Sequence, residues 1–172
     1  MSKKVLLIIA SHGFQPIEYF HTKKALQENG VEVFTASDQK GIAVCALANQ
    51  SVSVDLDFDQ IAPIDYEGVF LIGGPGALEH LDNEIVYNIM RQTADGGKLF
   101  GAICISPRIL AKAGLLLDKK ATGWNGDDEL GDILKSAGAV YVREDVVVDG
   151  QLITANGPKA AEKFGREIAR SL

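Results

Sequence analysis

The chain is expected to fold as a three-layer α/β/α sandwich around a mainly parallel sheet, and three observations carry that expectation. Short apolar runs alternate with helix-like stretches along the 172 residues, the pattern of repeated βα units. The runs Val5 to Ala10 and Val69 to Ile72 are unbroken, as strands buried on both faces require. The run Leu99-Phe-Gly-Ala-Ile103 passes into Cys104 and then, at Pro107, into a helix, which predicts a sharp strand-to-helix turn of the nucleophile-elbow kind.

In chain order, Val5 to Ala10 is the first strand. Pro16 opens a helix over 17–29, with Ile17, Phe20, Ala25 and Leu26 as its apolar or long positions and Asn29-Gly30 as its stop. Val31 to Ala36 has strand content, and 42–54 alternates as a small hairpin or edge pair would. Val69 to Ile72 ends in the turn Gly73-Gly74-Pro75-Gly76, after which 77–94 reads as one helix carrying Leu78, Leu81, Ile85, Ile89 and Met90. The elbow strand is 98–103. A helix over 107–113 stops at Gly114, Ala121-Thr122 is a short strand or loop, and 126–137 reads as a helix stopped by Gly138. Tyr141 to Val148 and Leu152 to Ala155 flank the hairpin signal Asp149-Gly150, and the last helix spans 159–171.

No linker, repeat or low-complexity segment divides the chain, so one domain over residues 1–172 is expected. The net charge of −6 argues against sequence-independent nucleic-acid binding, which needs clustered Lys and Arg to displace counterions. Two cysteines, Cys45 and Cys104, cannot build a disulfide framework, and no CxxC pattern marks a metal site. The basic start Met-Ser-Lys-Lys precedes an apolar run too short for a signal or membrane segment. A reducing, cytoplasmic location without membrane contact is therefore expected.

In a sheet of this kind the site forms at the carboxyl ends of the strands. Three segments should meet there: the loop leading to Glu18, the Gly73–Gly76 turn and the Cys104 elbow. Gly74 can present its N–H at close range and the Ile105 N–H heads the elbow helix, so the two can hold an oxyanion. That helix start should also make Cys104 more thiolate-like than a free cysteine. Glu18 lies one turn into its helix. It is either an ordinary first-turn carboxylate or an acid buried beside the sulfur, kept protonated there and able to pass a proton. Among the histidines, His12 lies at the correct edge, His21 is one turn beyond Glu18, and His80 follows the glycine turn; each is more easily read as a solvated or capping residue.

The segment Ala102-Ile103-Cys104-Ile105-Ser106-Pro107, the Gly73-Gly74-Pro75-Gly76 turn, Glu18 and the ending Leu152-Ile153-Thr154-Ala155-Asn156-Gly157-Pro158 together resemble the DJ-1/PfpI superfamily over nearly the whole chain. The resemblance implies a flavodoxin-like sandwich, a homodimer, Cys104 as nucleophile, Glu18 as its hydrogen-bonding acid and a strained backbone at the elbow. It implies no cofactor. In the peptidase-like branch a histidine follows the nucleophile directly, and here Ile105 stands there. Ser106-Pro107 fit the DJ-1-like branch better, although Ile105 is bulkier than the small residue usual in that branch. Where that branch often carries a histidine opposite the thiol, this chain has Trp124 and Asn125; Trp124 either caps the core or walls an apolar pocket over Cys104.

The expected function is a cofactor-independent enzyme acting on small reactive carbonyls, glyoxalase- or deglycase-like, through Cys104 and Glu18. An isonitrile hydratase or an amidase- or peptidase-like hydrolase would use the same pair. The alternative from another class is an oxidative-stress sensor in which Cys104 is oxidised to sulfinate. A chaperone or plain structural domain, indifferent to replacement of Cys104, is a further reading, without an exposed apolar run to support it.

Overall fold

The structure, a computed structural model, describes residues 2–46 and 50–172. In chain order its strands and helices are β1 (Lys4–Ile9), β2 (His12–Phe14), α1 (Pro16–Glu28), β3 (Glu32–Ser37), β4 (Gly41–Cys45), β5 (Ser51–Val54), β6 (Leu56–Asp57), β7 (Gly68–Leu71), α2 (Ala77–His80), α3 (Glu84–Asp95), β8 (Leu99–Ile103), α4 (Pro107–Lys112), β9 (Lys120–Ala121), α5 (Leu130–Ser136), β10 (Val140–Tyr141), β11 (Val146–Asp149), β12 (Leu152–Ala155) and α6 (Ala161–Ser171). Seven strands form the central sheet in the order β11-β12-β8-β7-β1-β3-β6. All neighbours are parallel except β11, which pairs antiparallel with β12 across the turn at Gly150-Gln151.

The apolar runs alternate between two buried faces, as the two-residue period of a strand dictates. Leu6 and Ile8 of β1 join Val69, Leu71, Phe100 and Ala102 beneath α3, α4 and α5, where Val86, Met90, Ile109 and Leu134 complete the packing. Val5, Leu7 and Ile9 point the other way, with Phe70, Ile72 and Ile103, and meet Tyr19, Leu26, Phe164 and Ile168 of α1 and α6. Both faces are covered, so the unbroken hydrophobicity of β1 and β7 is explained, and the three-layer expectation holds. Among the described residues no helix is long and apolar enough to cross a membrane.

Three sequence expectations are corrected. The single helix over 77–94 is two helices, because Asn83 is extended and caps α3 by accepting from the Val86 N–H at 3.2 Å. The helix over 126–137 begins only at Leu130: the Asn125 side chain accepts from the Leu130 N–H at 2.9 Å, while Asp127 is held by Arg108 and Asp128 sits at φ 60°. The strand from Tyr141 to Val148 is interrupted. Its start, β10, leaves the main sheet to pair with β9, and only β11 pairs with β12. The hairpin expected over 42–54 is present as β4 and β5, with β2 added on the other edge of β4; residues 47–49 of that stretch lie outside the described residues.

The helix that carries Glu18 is fixed by a close crossing with α6. A Cβ added at Gly165 would lie 2.7 Å from both the Ala25 Cβ and the Thr22 carbonyl oxygen, and the Thr22 hydroxyl donates to the Ala161 carbonyl. Glycine costs a mid-helix position about 1 kcal/mol relative to alanine, so without this contact Gly165→Ala would stabilise the protein. Overpacking of about 1–3 kcal/mol outweighs that gain. Chemical denaturation of Gly165→Ala is expected to show a lower midpoint than wild type, and an equal or higher midpoint would show that α1 and α6 are not locked together.

Candidate functional site

The elbow forms where β8 must turn into α4 within three residues. Cys104 takes up that turn at φ 64°, a left-handed conformation that costs a side-chain-bearing residue about 1–3 kcal/mol unless its surroundings impose it. They do so through four hydrogen bonds. The Cys104 N–H donates to the Ala155 carbonyl (2.9 Å), the Trp124 N–H donates to the Cys104 carbonyl (2.7 Å), the Ser106 N–H closes on the Ile103 carbonyl (3.2 Å), and the Ser106 hydroxyl donates to the Ile72 carbonyl (2.8 Å). The last of these ties the elbow to the glycine turn after β7.

Gly73 of that turn has no space for a side chain. A Cβ there would lie 2.7 Å from the Cys104 Cβ, 2.7 Å from Glu18 Oε2 and 2.9 Å from the Ile103 carbonyl. Its N–H donates to Glu18 Oε2 at 2.8 Å, and its carbonyl accepts from the Gln15 N–H at 2.9 Å, so both backbone polar groups of this residue link the turn to the start of α1. Gly74 follows at φ 123°, and a Cβ added there would clash with the Gly13 carbonyl oxygen and lie 2.5 Å from the Gln15 nitrogen. The Gly74 and Ile105 N–H groups both face the Cys104 sulfur.

Glu18 is fully buried. Its Oε2 is satisfied by Gly73, while Oε1 has no hydrogen-bond partner of good geometry among the described residues. Burial pushes the carboxyl pKa up to about 7, and its contacts with Cys104 and Gly73 recover only part of that cost. The thiol is also pushed up, first by burial and then by the Glu18 charge, against the lowering pull of the Ile105 and Gly74 N–H groups. The thiolate expected from the helix start is therefore corrected. α4 is only six residues long, and desolvation beside a carboxylate outweighs two N–H dipoles. Above about pH 7 the pair rests as carboxylate and thiol, with one proton between them.

Glu18, Cys104, Gly74 and Ile105 are thus brought together as expected. Trp124 and Asn125 reach the elbow through the backbone, where the Trp124 N–H donates to the Cys104 carbonyl, while their side chains contact other groups. The Trp124 indole packs on Arg108, 5.5 Å from ring centre to guanidinium, with 39% of the residue exposed, and Asn125 caps α5. Asn125 does line a cavity of about 310 Å³ with Thr122, Gly123, Arg143 and Asn156. His12 belongs to a separate cluster with Ser11, Asp38 and His80, and His21 is exposed on α1.

Two contributors escape a reading of the sequence. Gly73 is the partner of Glu18, yet nothing in the Gly73-Gly74-Pro75-Gly76 turn distinguishes it from the other two glycines. Arg108 is only 7% exposed and grips Asp127 with two hydrogen bonds of 2.9 and 2.7 Å, while also reaching the Trp124 carbonyl; this clamps residues 124–127 beside the elbow. Its position four residues after Cys104, with an acidic run at 127–129, was the available signal.

Residues 3–171 match the model of the DJ-1/PfpI family. The deglycase PfpI of Pyrococcus furiosus is 31% identical over 167 residues, covering 97% of this chain and 98% of that protein. The protein dj-1beta of Drosophila melanogaster is 31% identical over 173 residues, covering 100% and 90%. Its crystal structure superimposes with a TM-score of 0.88 at 30% identity, again over 100% and 91% of the two chains. A ThiJ/PfpI domain protein from Brachyspira murdochii gives a TM-score of 0.92 over 99% and 96%, at 24% identity, and so speaks for the fold alone.

The raised Glu18 pKa links stability to pH. Between the ordinary value of 4.5 and about 7 the folded state binds more protons than the unfolded chain, so stability falls as pH rises through that window and the loss is complete above it. Glu18→Gln keeps an oxygen to accept from Gly73 but carries no charge. Relative to wild type it is expected to gain on the order of 1–3 kcal/mol in urea unfolding at pH 8 and much less at pH 5. An equal difference at the two pH values would contradict the buried, protonatable carboxyl.

Proposed function

Because the chain belongs to the DJ-1/PfpI family, we propose that it is a cofactor-independent enzyme acting on small reactive carbonyl compounds, with Cys104 as nucleophile and Glu18 as the group that moves protons. The observation that carries this reading is the Glu18 carboxyl itself: fully buried, anchored through one oxygen to Gly73, in contact with the Cys104 thiol and with its pKa near 7. A base with that pKa works at neutral pH without a histidine. The relatives named as deglycases support an enzymatic reading.

For an α-oxoaldehyde such as methylglyoxal, the Glu18 carboxylate takes the thiol proton as the sulfur bonds to the aldehyde carbon. The negative oxygen that develops is met by the Gly74 and Ile105 N–H groups and then receives that proton back, leaving a hemithioacetal. Glu18 next removes the proton from that carbon and returns it to the neighbouring one, while the hydroxyl proton passes to the neighbouring carbon's oxygen, which converts the adduct to a lactoyl thioester. Water hydrolyses the thioester, releasing lactate and restoring the Cys104 thiol. The overall change is addition of one water to methylglyoxal, with no external oxidant or reductant.

A second reading rests on the same surroundings. A sulfinate on Cys104 would meet two backbone N–H groups and a protonated Glu18, three donors for its oxygens. A peptidase-like reaction is less well served. Ile105 occupies the position of that branch's histidine, while His12 and His80 are engaged elsewhere. The family resemblance extends the proposal to a homodimer, and a sedimentation mass of one 18.4 kDa chain would overturn that part.

The test is lactate formation from methylglyoxal in metal-depleted, thiol-free buffer. Wild type is expected to turn over many times, Cys104→Ser to be inactive, and Glu18→Gln to lose on the order of 100-fold or more. The wild-type rate should fall about tenfold per pH unit below about pH 7, as the carboxylate is protonated. No turnover by wild type, with a gain of two oxygen atoms at Cys104 under mild peroxide, would favour the sensor instead.

A further inference from the structure

A second cluster of polar side chains lies outside the Cys104 site, where β1 ends and α2 begins. Asp38 is its hub. The Ser11 N–H donates to Asp38 Oδ1 (2.8 Å), the Ser37 hydroxyl donates to the same oxygen (3.1 Å), and the Ser11 hydroxyl donates to Oδ2 (2.8 Å). His80 Nδ1 lies 2.8 Å from Oδ2. Burial alone would raise the Asp38 pKa, but these donors outweigh it and hold the carboxyl below its ordinary value, so it is an ionised acceptor.

The proton positions in this network follow from counting donors. An ionised carboxylate can only accept, so His80 Nδ1 carries the hydrogen. The Ser11 hydroxyl has given its single hydrogen to Asp38, so His12 Nδ1, 3.2 Å from the Ser11 oxygen, must also be the donor. In the neutral form of each ring the lone pair is thereby assigned to Nε2. The rings lie side by side, 5.9 Å between centroids and 29° apart.

Both histidines line one cavity of about 590 Å³. Glu79 adds a carboxylate at its exposed side, and Val44, Ala46 and Pro75 supply apolar wall; no lysine or arginine is among the described residues lining it. The cavity therefore offers acceptors and negative charge beside a short apolar surface. Among the described residues no three His, Cys, Asp or Glu side chains converge closely enough to hold a metal ion. A planar cation with several N–H donors and an alkyl stem meets the same acceptors without demanding that convergence.

We propose that the His12–His80 cavity is a binding site for a guanidinium group on an alkyl chain, with the two Nε2 atoms and the Glu79 carboxylate accepting its hydrogens and Val44 and Pro75 packing on its methylenes. The cavity adjoins the Gly73–Gly76 turn of the Cys104 site, but the groups that would hold the guanidinium are not those that act on the thiol. Free alkylguanidines and arginine side chains share this chemistry.

The experiment is a titration of the protein with n-butylguanidinium at pH 8, followed by NMR of the histidine rings. Saturable shifts confined to His12 and His80 are expected. His12→Ala and Glu79→Gln change exposed residues and should fold; the first is expected to weaken binding about tenfold and the second severalfold. Cys104→Ser should bind as wild type does. Repeating the titration with an acetylated, amidated Gly-Arg-Gly peptide separates the sources: binding of both probes assigns a peptide arginine as an acceptable ligand, and binding of n-butylguanidinium alone assigns a free small molecule. Ring shifts produced by butyrate or zinc but not by n-butylguanidinium would overturn the proposal, as would affinities unchanged in both His12→Ala and Glu79→Gln.

Discussion

The absence of a side chain at Gly73 is the constraint on which the site depends, because three segments distant in sequence use the space a Cβ would fill. Cys104 approaches from the elbow, Glu18 from α1 and the Ile103 carbonyl from the end of β8, each within 3 Å of that point. The same residue supplies the N–H that accompanies the Glu18 carboxyl into the interior. Burying a carboxyl without a partner is expensive, and one N–H bond offsets only part of the cost. The remainder is expressed as a pKa near 7. Packing at one glycine thus brings the acid to the sulfur and sets the pH at which it changes charge.

The elbow is held from outside itself. A left-handed cysteine would relax if its peptide were free, but its N–H is bonded to β12, its carbonyl to Trp124 and the following serine to the end of β7. Trp124 is steadied in turn by Arg108, whose guanidinium is bonded to Asp127 and lies over the indole. A buried guanidinium needs such partners, and a residue inside the elbow helix is thereby coupled to the segment that follows β9. This distribution of contacts explains how a conformation costing about 1–3 kcal/mol persists at a site with little bulk of its own.

Electrostatically, the pair is poised by shared burial. With Glu18 ionised the thiol keeps its proton; once that proton is transferred, the two N–H groups at Gly74 and Ile105 face a charged sulfur or the oxygen bonded beside it. The energy of the helix start is then realised during reaction, when charge moves, and contributes little to the resting state. The Asp38 cluster obeys the opposite logic. There the carboxylate is fully supplied with donors, stays ionised, and orients its neighbours without changing charge.

What the sequence determined by itself is local and periodic. The unbroken runs of β1 and β7 announced strands covered on both faces, Pro16 and Asn29-Gly30 marked the ends of α1, and Ile103-Cys104 followed by Pro107 placed the elbow to the residue. Cys104 was legible because its chemistry and its position at a strand end coincide; the position of Glu18 left two readings open, and only the family resemblance chose between them. Tertiary structure decided the rest. The break at Asn83, the late start of α5 and the departure of β10 from the sheet each depend on a hydrogen bond or strand partner that a local pattern does not specify. The charge state of Cys104 went the same way. A helix start lowers a thiol's pKa wherever the thiol is, but burial and a carboxylate folded against it raise the pKa further, and only the packed fold brings those two together.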